Sequence, residues 1–330
     1  MYMVTGRPFS GRMLEKLKAF LAGCSLDYDS GISFSATLVE DGEIIATGSL
    51  DGSTIKCVAV SPERRGEDLC APILTALRGE AFERGRAHLM LYTKPANETL
   101  FTSFGFYPLV RTGDCLLMEN SRDALARYLA SVATPQSGSV GCVVANCNPF
   151  TLGHRYLIES AAKCCDRLHV FILSEDKGIL PPETRLEIAS EACRDIPNAD
   201  FYPTDMYMVS AATFPDYFIR DKSRRDEIYC ELDLKLFATR IAPALRLTKR
   251  FVGTEPYSET TRHYNEAMKR LLPPCGIEVS EIARLEADGQ AVSASRVRAL
   301  IAESRLRDVR PLVPENCFEA LYKKFGGAHS

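Results

Sequence analysis

From Val140 onward the chain alternates short apolar, β-branched runs with amphipathic stretches of helical period, and no other feature constrains the fold as tightly. Strand Val140–Ala145 is followed by a helix over Gly153–Cys165, strand Leu168–Leu173, a helix over Pro182–Arg194 and strand Asp200–Tyr202. Strands separated by helices pair in parallel through right-handed crossovers, and such sheets take their ligands beyond the carboxyl ends of the strands. Function is therefore expected in the loops that leave those ends. Further helices are expected at 211–220, 224–243 and Glu259–Leu272, strands at Arg250–Gly253 and Ile277–Leu285, and closing helices from Ser295 and Pro314.

The first 120 residues follow another rhythm. After a helical segment at Gly11–Ala22, three strands, Ile32–Glu40, Glu43–Leu50 and Ser53–Val60, are separated by Asp41-Gly42 and Asp51-Gly52, pairs that favour tight hairpins. A helix over Leu69–Glu83, a strand at Ala87–Tyr92, a short helix at Asn97–Phe104 and two strands around Tyr107 and Leu116 complete this part. Residues 121–139 begin as a short helix and end in the polar, turn-rich Thr134-Pro135-Gln136-Ser137-Gly138-Ser139. The expected division is a first domain at 1–120, a linker at 121–139 and a second domain at 140–330.

Length and composition agree, since 330 residues exceed what one core usually supports. Hydrophobic residues at 46% and charged residues at 25% describe an ordinary globular chain. The formal charge of −3 offers no global field for a nucleic-acid backbone or an anionic membrane, so neither partner is expected. No apolar run reaches the roughly 18 residues that span a bilayer, and Met1–Ser10 lacks a signal-like apolar core, so the cytoplasm is the expected location. The 12 cysteines are dispersed without a CxxC pair and read as reduced thiols, with no metal among the expected protein-held groups.

Two segments carry chemistry. In the first, the loop Asn146–Leu152 joins the first strand of the parallel sheet to its first helix; Pro149 stiffens it, Gly153 permits close backbone approach, and His154 falls in the first helical turn, where amides and the helix dipole favour phosphate. In the second, Ser293-Ala294-Ser295-Arg296-Val297-Arg298 opens a helix with a serine cap and two arginines, groups whose hydroxyls and guanidinium forks suit phosphate oxygens. Phe251-Val252-Gly253-Thr254-Glu255-Pro256 ends another strand in a glycine turn. Glu175, Lys177 and Arg185 follow the second parallel strand, at a loop and helix on the side of the same crevice, where they either reach the ligand or form a solvated surface.

The first two segments together resemble the nucleotidyltransferase superfamily with the HIGH-type motif: Thr151-Leu152-Gly153-His154 fits (H/T)xGH, and Ser293–Arg298 fits the later ISSTxxR element. The resemblance implies that Thr151 and His154 contact the α- and β-phosphates of ATP, that Ser295 and Arg298 hold the leaving pyrophosphate, and that Mg²⁺ bridges phosphate oxygens. Asn148, Phe150, Gly153, Lys177, Arg185, Gly253, Thr254, Glu255, Ser293 and Arg296 are the accompanying nucleotide-binding positions. By the similarity of Phe251–Pro256 to the place where the superfamily holds adenosine, Thr254 and Glu255 are expected to bond ribose or adenine. No protein nucleophile is required.

Residues 32–119 are similar in element order to the GCN5-related acetyltransferase fold, with Val58–Gly66 at its strand and phosphate loop and Leu100–Phe106 at its late helix. The loop departs from the pattern (Q/R)xxGx(G/A), because Asp68 and Cys70 stand where glycine and a small residue are expected, which argues against acetyl-CoA-dependent catalysis there. The expected fold class is thus α/β, an acetyltransferase-like mixed-sheet domain followed by a Rossmann-like nucleotidyltransferase domain. That fusion resembles the [citrate (pro-3S)-lyase] ligase family, also called acetate:citrate-lyase ligase. The resemblance implies attack of acetate on ATP to give acetyl-adenylate and pyrophosphate, then transfer of the acetyl group to the thiol prosthetic group of the citrate lyase acyl carrier protein with release of AMP. A bifunctional acetyltransferase and adenylyltransferase that makes a nucleotide cofactor is the alternative, and a non-catalytic sensor of nucleotide and acyl-coenzyme A is a third reading.

Overall fold

The computed structural model describes all residues except 133–136, 176–177, 209–213, 256–257 and 327–330. The chain forms two compact units, Met1–Leu125 with Phe214–Leu232, and Ala126–Thr213 with Asp233–Ser330. An unbroken second domain at 140–330 did not anticipate that Phe214–Leu232 belongs with the first unit.

The first unit is built on a seven-stranded mixed sheet. Its elements are β1 (Tyr2–Gly6), α1 (Gly11–Gly23), β2 (Phe34–Glu40), β3 (Glu43–Asp51), β4 (Thr54–Val60), α2 (Cys70–Glu83), β5 (Met90–Thr93), α3 (Glu98–Ser103), β6 (Tyr107–Arg111) and β7 (Leu116–Glu119). The order in the sheet is β1-β2-β3-β4-β5-β7-β6, the acetyltransferase-like architecture expected from the sequence. The turn at Asp41-Gly42 has positive φ at both residues, 52° and 84°, as a hairpin of matching twist requires. At the next hairpin the strand extends through Asp51, which pairs with Thr54, and Gly52 alone of the pair has positive φ. Strand β1, exposed along much of its length at the edge of the sheet, was not expected because it lacks the apolar alternation of a half-buried strand. Ile73, Leu74 and Leu77 of α2 pack on Phe34, Ala36 and Leu50 of the sheet to form the core. Parallel strands β4 and β5 pair only at Thr54 with Met90 and Ile55 with Leu91, so a cleft opens beyond these positions.

The second unit contains α4 (Ala124–Ser131, largely in this unit), β8 (Val140–Ala145), α5 (Leu152–Ala162), β9 (Arg167–Ile172), α6 (Pro182–Ala192), β10 (Ala199–Pro203), the latter end of α7 (Arg225–Leu236), α8 (Ala242–Ala244), β11 (Lys249–Gly253), α9 (Glu259–Leu271), β12 (Glu278–Ile282), a small hairpin β13 (Glu286–Ala287) and β14 (Gln290–Ala291), α10 (Ala294–Ala302) and α11 (Glu315–Phe325). Its five-stranded sheet has the order β10-β9-β8-β11-β12, and every pairing in it is parallel. The order reverses between β8 and β11, the position where an open α/β sheet forms its ligand crevice. Val143, Val170 and Phe251 of the strands pack with Ile158, Ile188, Val297 and Leu321 of the helices.

The expected helix at 211–220 falls partly outside the described residues; from Phe214 to Arg220 the chain makes bends and turns instead. Phe214, Tyr217, Phe218 and Ile219 are all buried there. Four large apolar side chains in six residues cover more of a helix's circumference than one buried stripe, and tertiary packing sets the local conformation. The linker residues Thr134-Pro135-Gln136 also lie outside the described residues.

Candidate active site

The site in the second unit begins with two helix starts brought together by one missing side chain. Thr151 caps α5, and His154 Nδ1 accepts the Thr151 backbone N–H at 3.0 Å while the Thr151 Oγ1 accepts the His154 backbone N–H at 3.3 Å. This is a capping box in which histidine fills the place usually held by Glu or Gln. Ser293 caps α10 by accepting the Arg296 backbone N–H at 3.2 Å. A Cβ at Gly153 would lie 2.2 Å from the Val292 carbonyl oxygen, so only glycine lets the strand leading into α10 lie against the first turn of α5. The positive ends of both helices consequently face one region, a favourable setting for phosphate.

His154 enters that region with a defined protonation state. Because Nδ1 receives the Thr151 N–H, the neutral ring carries its proton on Nε2, the nitrogen left to address a ligand. Burial, followed by the charges of Arg284 and Arg298, lowers its pKa to about 4. Phe150 stacks on the ring, with centroids 5.6 Å apart at 27°. A neutral, oriented Nε2–H is a hydrogen-bond donor of the kind that suits an anionic oxygen, and it has little tendency to take up a proton near neutrality.

The cations are held as carefully. Arg298 Nη1 donates to the Asn148 carbonyl at 2.6 Å and its Nη2 to Ser295 Oγ at 3.0 Å, tying the start of α10 to the loop after β8. Partial burial lowers the Arg298 pKa, and no carboxylate is among its ion-pair partners in the described residues. Arg284, in the loop after β12, donates from Nε to the Thr254 carbonyl and from Nη2 to Glu255. A cavity of about 250 Å³ opens among Thr151, Gly153, His154, Gly253, Arg284 and Ser293. Asn265 closes its floor by donating to the Gly253 carbonyl at 3.0 Å, and Tyr264, also on the wall, donates its hydroxyl to Asp233.

The expected residues divide into those that reach this cavity and those that shape it. Thr151, Gly153, His154, Gly253 and Ser293 line it, whereas Ser295 and Arg298 are not among its lining residues and are joined to each other and to the Asn148 carbonyl. Phe150 and Thr151 are fully buried, so Phe150 acts through its backbone and its ring contact. Asn148 shapes the loop: its Oδ1 accepts the Ile179 N–H at 2.8 Å. Three more of the expected residues have protein partners in the structure. Arg185 is only 1% exposed and donates to the Asn146 and Glu175 carbonyls, because the loop after β8 leaves main-chain oxygens that need a donor. Arg296 turns to the Ala287 carbonyl at 3.1 Å and supports the β13–β14 hairpin. Glu255 accepts from Arg284 and from the Ser258 N–H at 3.0 Å, so its carboxylate is engaged by protein donors. Thr254 uses its backbone, donating to the Ile282 carbonyl at 2.9 Å. Glu175 contributes its carbonyl, and Lys177 lies outside the described residues. Arg284 was not singled out by the sequence reading; its place just past the carboxyl end of a parallel strand was the available signal.

In the first unit a larger cavity, about 650 Å³, occupies the cleft between β4 and β5. Val58, Leu91 and Phe101 supply apolar walls, Arg65 and Lys94 cations, and Tyr217 and Phe218 one side. Tyr217 donates its buried hydroxyl to the Tyr92 carbonyl at 3.0 Å. Asp68, also on the wall, has φ of 54°, a backbone shape that glycine adopts without cost.

A parallel sheet with a 3-2-1-4-5 order, two converging helix starts at its switch point and a neutral, oriented histidine in the field of two guanidinium groups are the features of a nucleotidyltransferase-like domain. Residues 140–321 match the citrate lyase ligase C-terminal domain family. The chain is 39% identical over 322 residues to the [citrate [pro-3S]-lyase] ligase of Klebsiella pneumoniae, covering 96% of this chain and 94% of that protein. It is 42% identical over 313 residues to the enzyme of the same name from Escherichia coli (strain K12), covering 92% and 88%. Among solved structures, Thermotoga maritima TmcAL bound with alpha-thio ATP aligns with a TM-score of 0.36 and 18% identity, over 57% of this chain and 56% of that one. The chain belongs to the citrate lyase ligase family.

Proposed function

We propose that this chain activates acetate with ATP and transfers the acetyl group to the thiol of the citrate lyase acyl carrier protein. The observation that carries the reading is the approach of the α5 and α10 starts across Gly153, which places His154 and Ser293 on one cavity. An acetate oxygen attacks the α-phosphorus of ATP, the bond to the β-phosphate bridging oxygen breaks, and acetyl-adenylate and pyrophosphate result. The carrier's sulfur then attacks the acetyl carbonyl, AMP leaves with the oxygen that acetate supplied, and the thiol proton passes to solvent. His154 Nε2–H, Ser295 and Arg298 stabilise charge as it moves onto pyrophosphate, so catalysis is mainly positioning and electrostatics.

Among the described residues no group of three or more His, Cys, Asp or Glu could hold a metal ion. Mg²⁺ would therefore arrive on the phosphate oxygens of ATP and supply charge neutralisation there. The apolar and cationic cleft of the first unit suits the phosphate-bearing thiol arm of the carrier, with Arg65 and Lys94 as the cations that would meet its phosphates. Among the described residues no helix is long and apolar enough to cross a membrane, and we place the reaction in the cytoplasm. The test is pyrophosphate exchange into ATP across a series of small carboxylic acids. Exchange should require acetate and vanish in His154→Ala; exchange without any carboxylic acid would overturn the proposal.

A further inference from the structure

The nucleotide cavity contains a cation whose role the motif residues do not cover. Arg284 stands just past the carboxyl end of β12 on the wall shared with His154, Gly253 and Ser293. Two of its three nitrogens are fixed, Nε by the Thr254 carbonyl and Nη2 by Glu255. Glu255 is itself anchored by the Ser258 N–H, and its side chain is 8% exposed. Among the described residues nothing accepts a hydrogen bond from Nη1. A guanidinium held on two sides with a third donor left over is preorganised to bind an anion without losing side-chain freedom. Its charge also acts on His154 more strongly than that of Arg298, so both side chains address the same region.

Resting on the nucleotide reading above, we propose that Arg284 binds the α-phosphate of ATP and retains it in acyl-adenylate after pyrophosphate has left. The two cations are tied to different halves of the site. Arg298 is joined to Ser295 and the Asn148 carbonyl, at the motif loops. Arg284 is joined to Thr254 and Glu255, in the turn after Gly253 whose carbonyl Asn265 holds. When the bond between the α- and β-phosphates is cleaved, a cation on the Ser295 side loses its anion with pyrophosphate. One on the Gly253 side stays with AMP. Arg284 thereby keeps the mixed anhydride in place until the thiol arrives.

The experiment is a binding series on the full chain with adenosine, AMP, pyrophosphate and acetyl-sulfamoyl-adenosine, a stable acyl-adenylate analogue, comparing wild type with Arg284→Gln and Arg284→Lys. Loss of a charge-assisted contact should weaken AMP and the analogue about 10- to 100-fold in Arg284→Gln, with adenosine and pyrophosphate affinities unchanged. Arg284→Lys, which keeps the charge and loses the fork, should fall between, and guards against misfolding of the glutamine variant. Equal losses for adenosine and AMP would make Arg284 a support for the loop and overturn the proposal. So would a loss confined to pyrophosphate, or unchanged affinity for all four ligands in both variants. If wild type itself binds none of the adenine ligands, the nucleotide reading fails first, an outcome distinct from loss of the Arg284 role alone.

Discussion

Gly153→Ala perturbs the closest approach on which the active site is built. The added Cβ would lie 2.2 Å from the Val292 carbonyl oxygen, whereas ordinary contact begins at 3.4 Å, so the two backbones must separate by about 1.2 Å. The obstacle is main chain, and Val292 is held in place because its N–H donates to the Leu285 carbonyl at 2.9 Å. Overpacking of this kind costs about 1–3 kcal/mol of stability. The larger effect should be catalytic, because a misplacement of about 1 Å at a positioned reaction centre can reduce rate on the order of 100-fold. Thermal unfolding would report the first, and acetate-dependent pyrophosphate exchange the second, measured well below the melting point. A Gly153→Ala protein with near-wild-type kcat/KM for ATP would refute the argument that these two helix starts must meet this closely.

Three other outcomes follow from the same geometry. His154 in the free protein should remain neutral at pH 6 and titrate at about 4 by ¹⁵N NMR, with the proton on Nε2; since its folded value lies below the ordinary 6.5, its contribution to stability is complete above pH 6.5 and declines as pH falls toward 4, a slope that His154→Gln should remove. Ser293→Ala removes the cap of α10 and should lower stability by about 1 kcal/mol in denaturant unfolding, with a further loss of ATP affinity as the helix start frays. Arg185→Ala leaves the Asn146 and Glu175 carbonyls without their donor and should destabilise by about 1–3 kcal/mol in a thermal melt, whereas a direct phosphate role would leave stability unchanged and weaken ATP alone.

Much of this architecture was legible in the sequence because strong local signals agreed with the tertiary structure. Asp41-Gly42 forms the positive-φ turn, the strand–helix rhythm after Val140 yields the parallel sheet, and Thr151-Leu152-Gly153-His154 begins α5. What escaped depended on contacts between distant positions. Phe214–Leu232 joins the first unit through side chains such as Tyr217, whose partner is the carbonyl of Tyr92. Arg185 and Arg296 had the residue type and chain position of phosphate ligands, yet main-chain carbonyls claim both guanidinium groups. Arg284 had no motif around it, and its place emerges only when the loops after β11 and β12 are brought side by side.

Isotope transfer from acetate tests the central claim most directly. With [¹⁸O₂]acetate, ATP and the thiol form of citrate lyase, attack of acetate on the α-phosphorus must leave one acetate oxygen in AMP once the thiol has displaced it. Mass spectrometry of the nucleotide product should therefore show AMP carrying a single ¹⁸O per turnover and unlabelled pyrophosphate. Acetylated citrate lyase formed alongside unlabelled AMP, or alongside ADP and labelled inorganic phosphate, would contradict the acetyl-adenylate route.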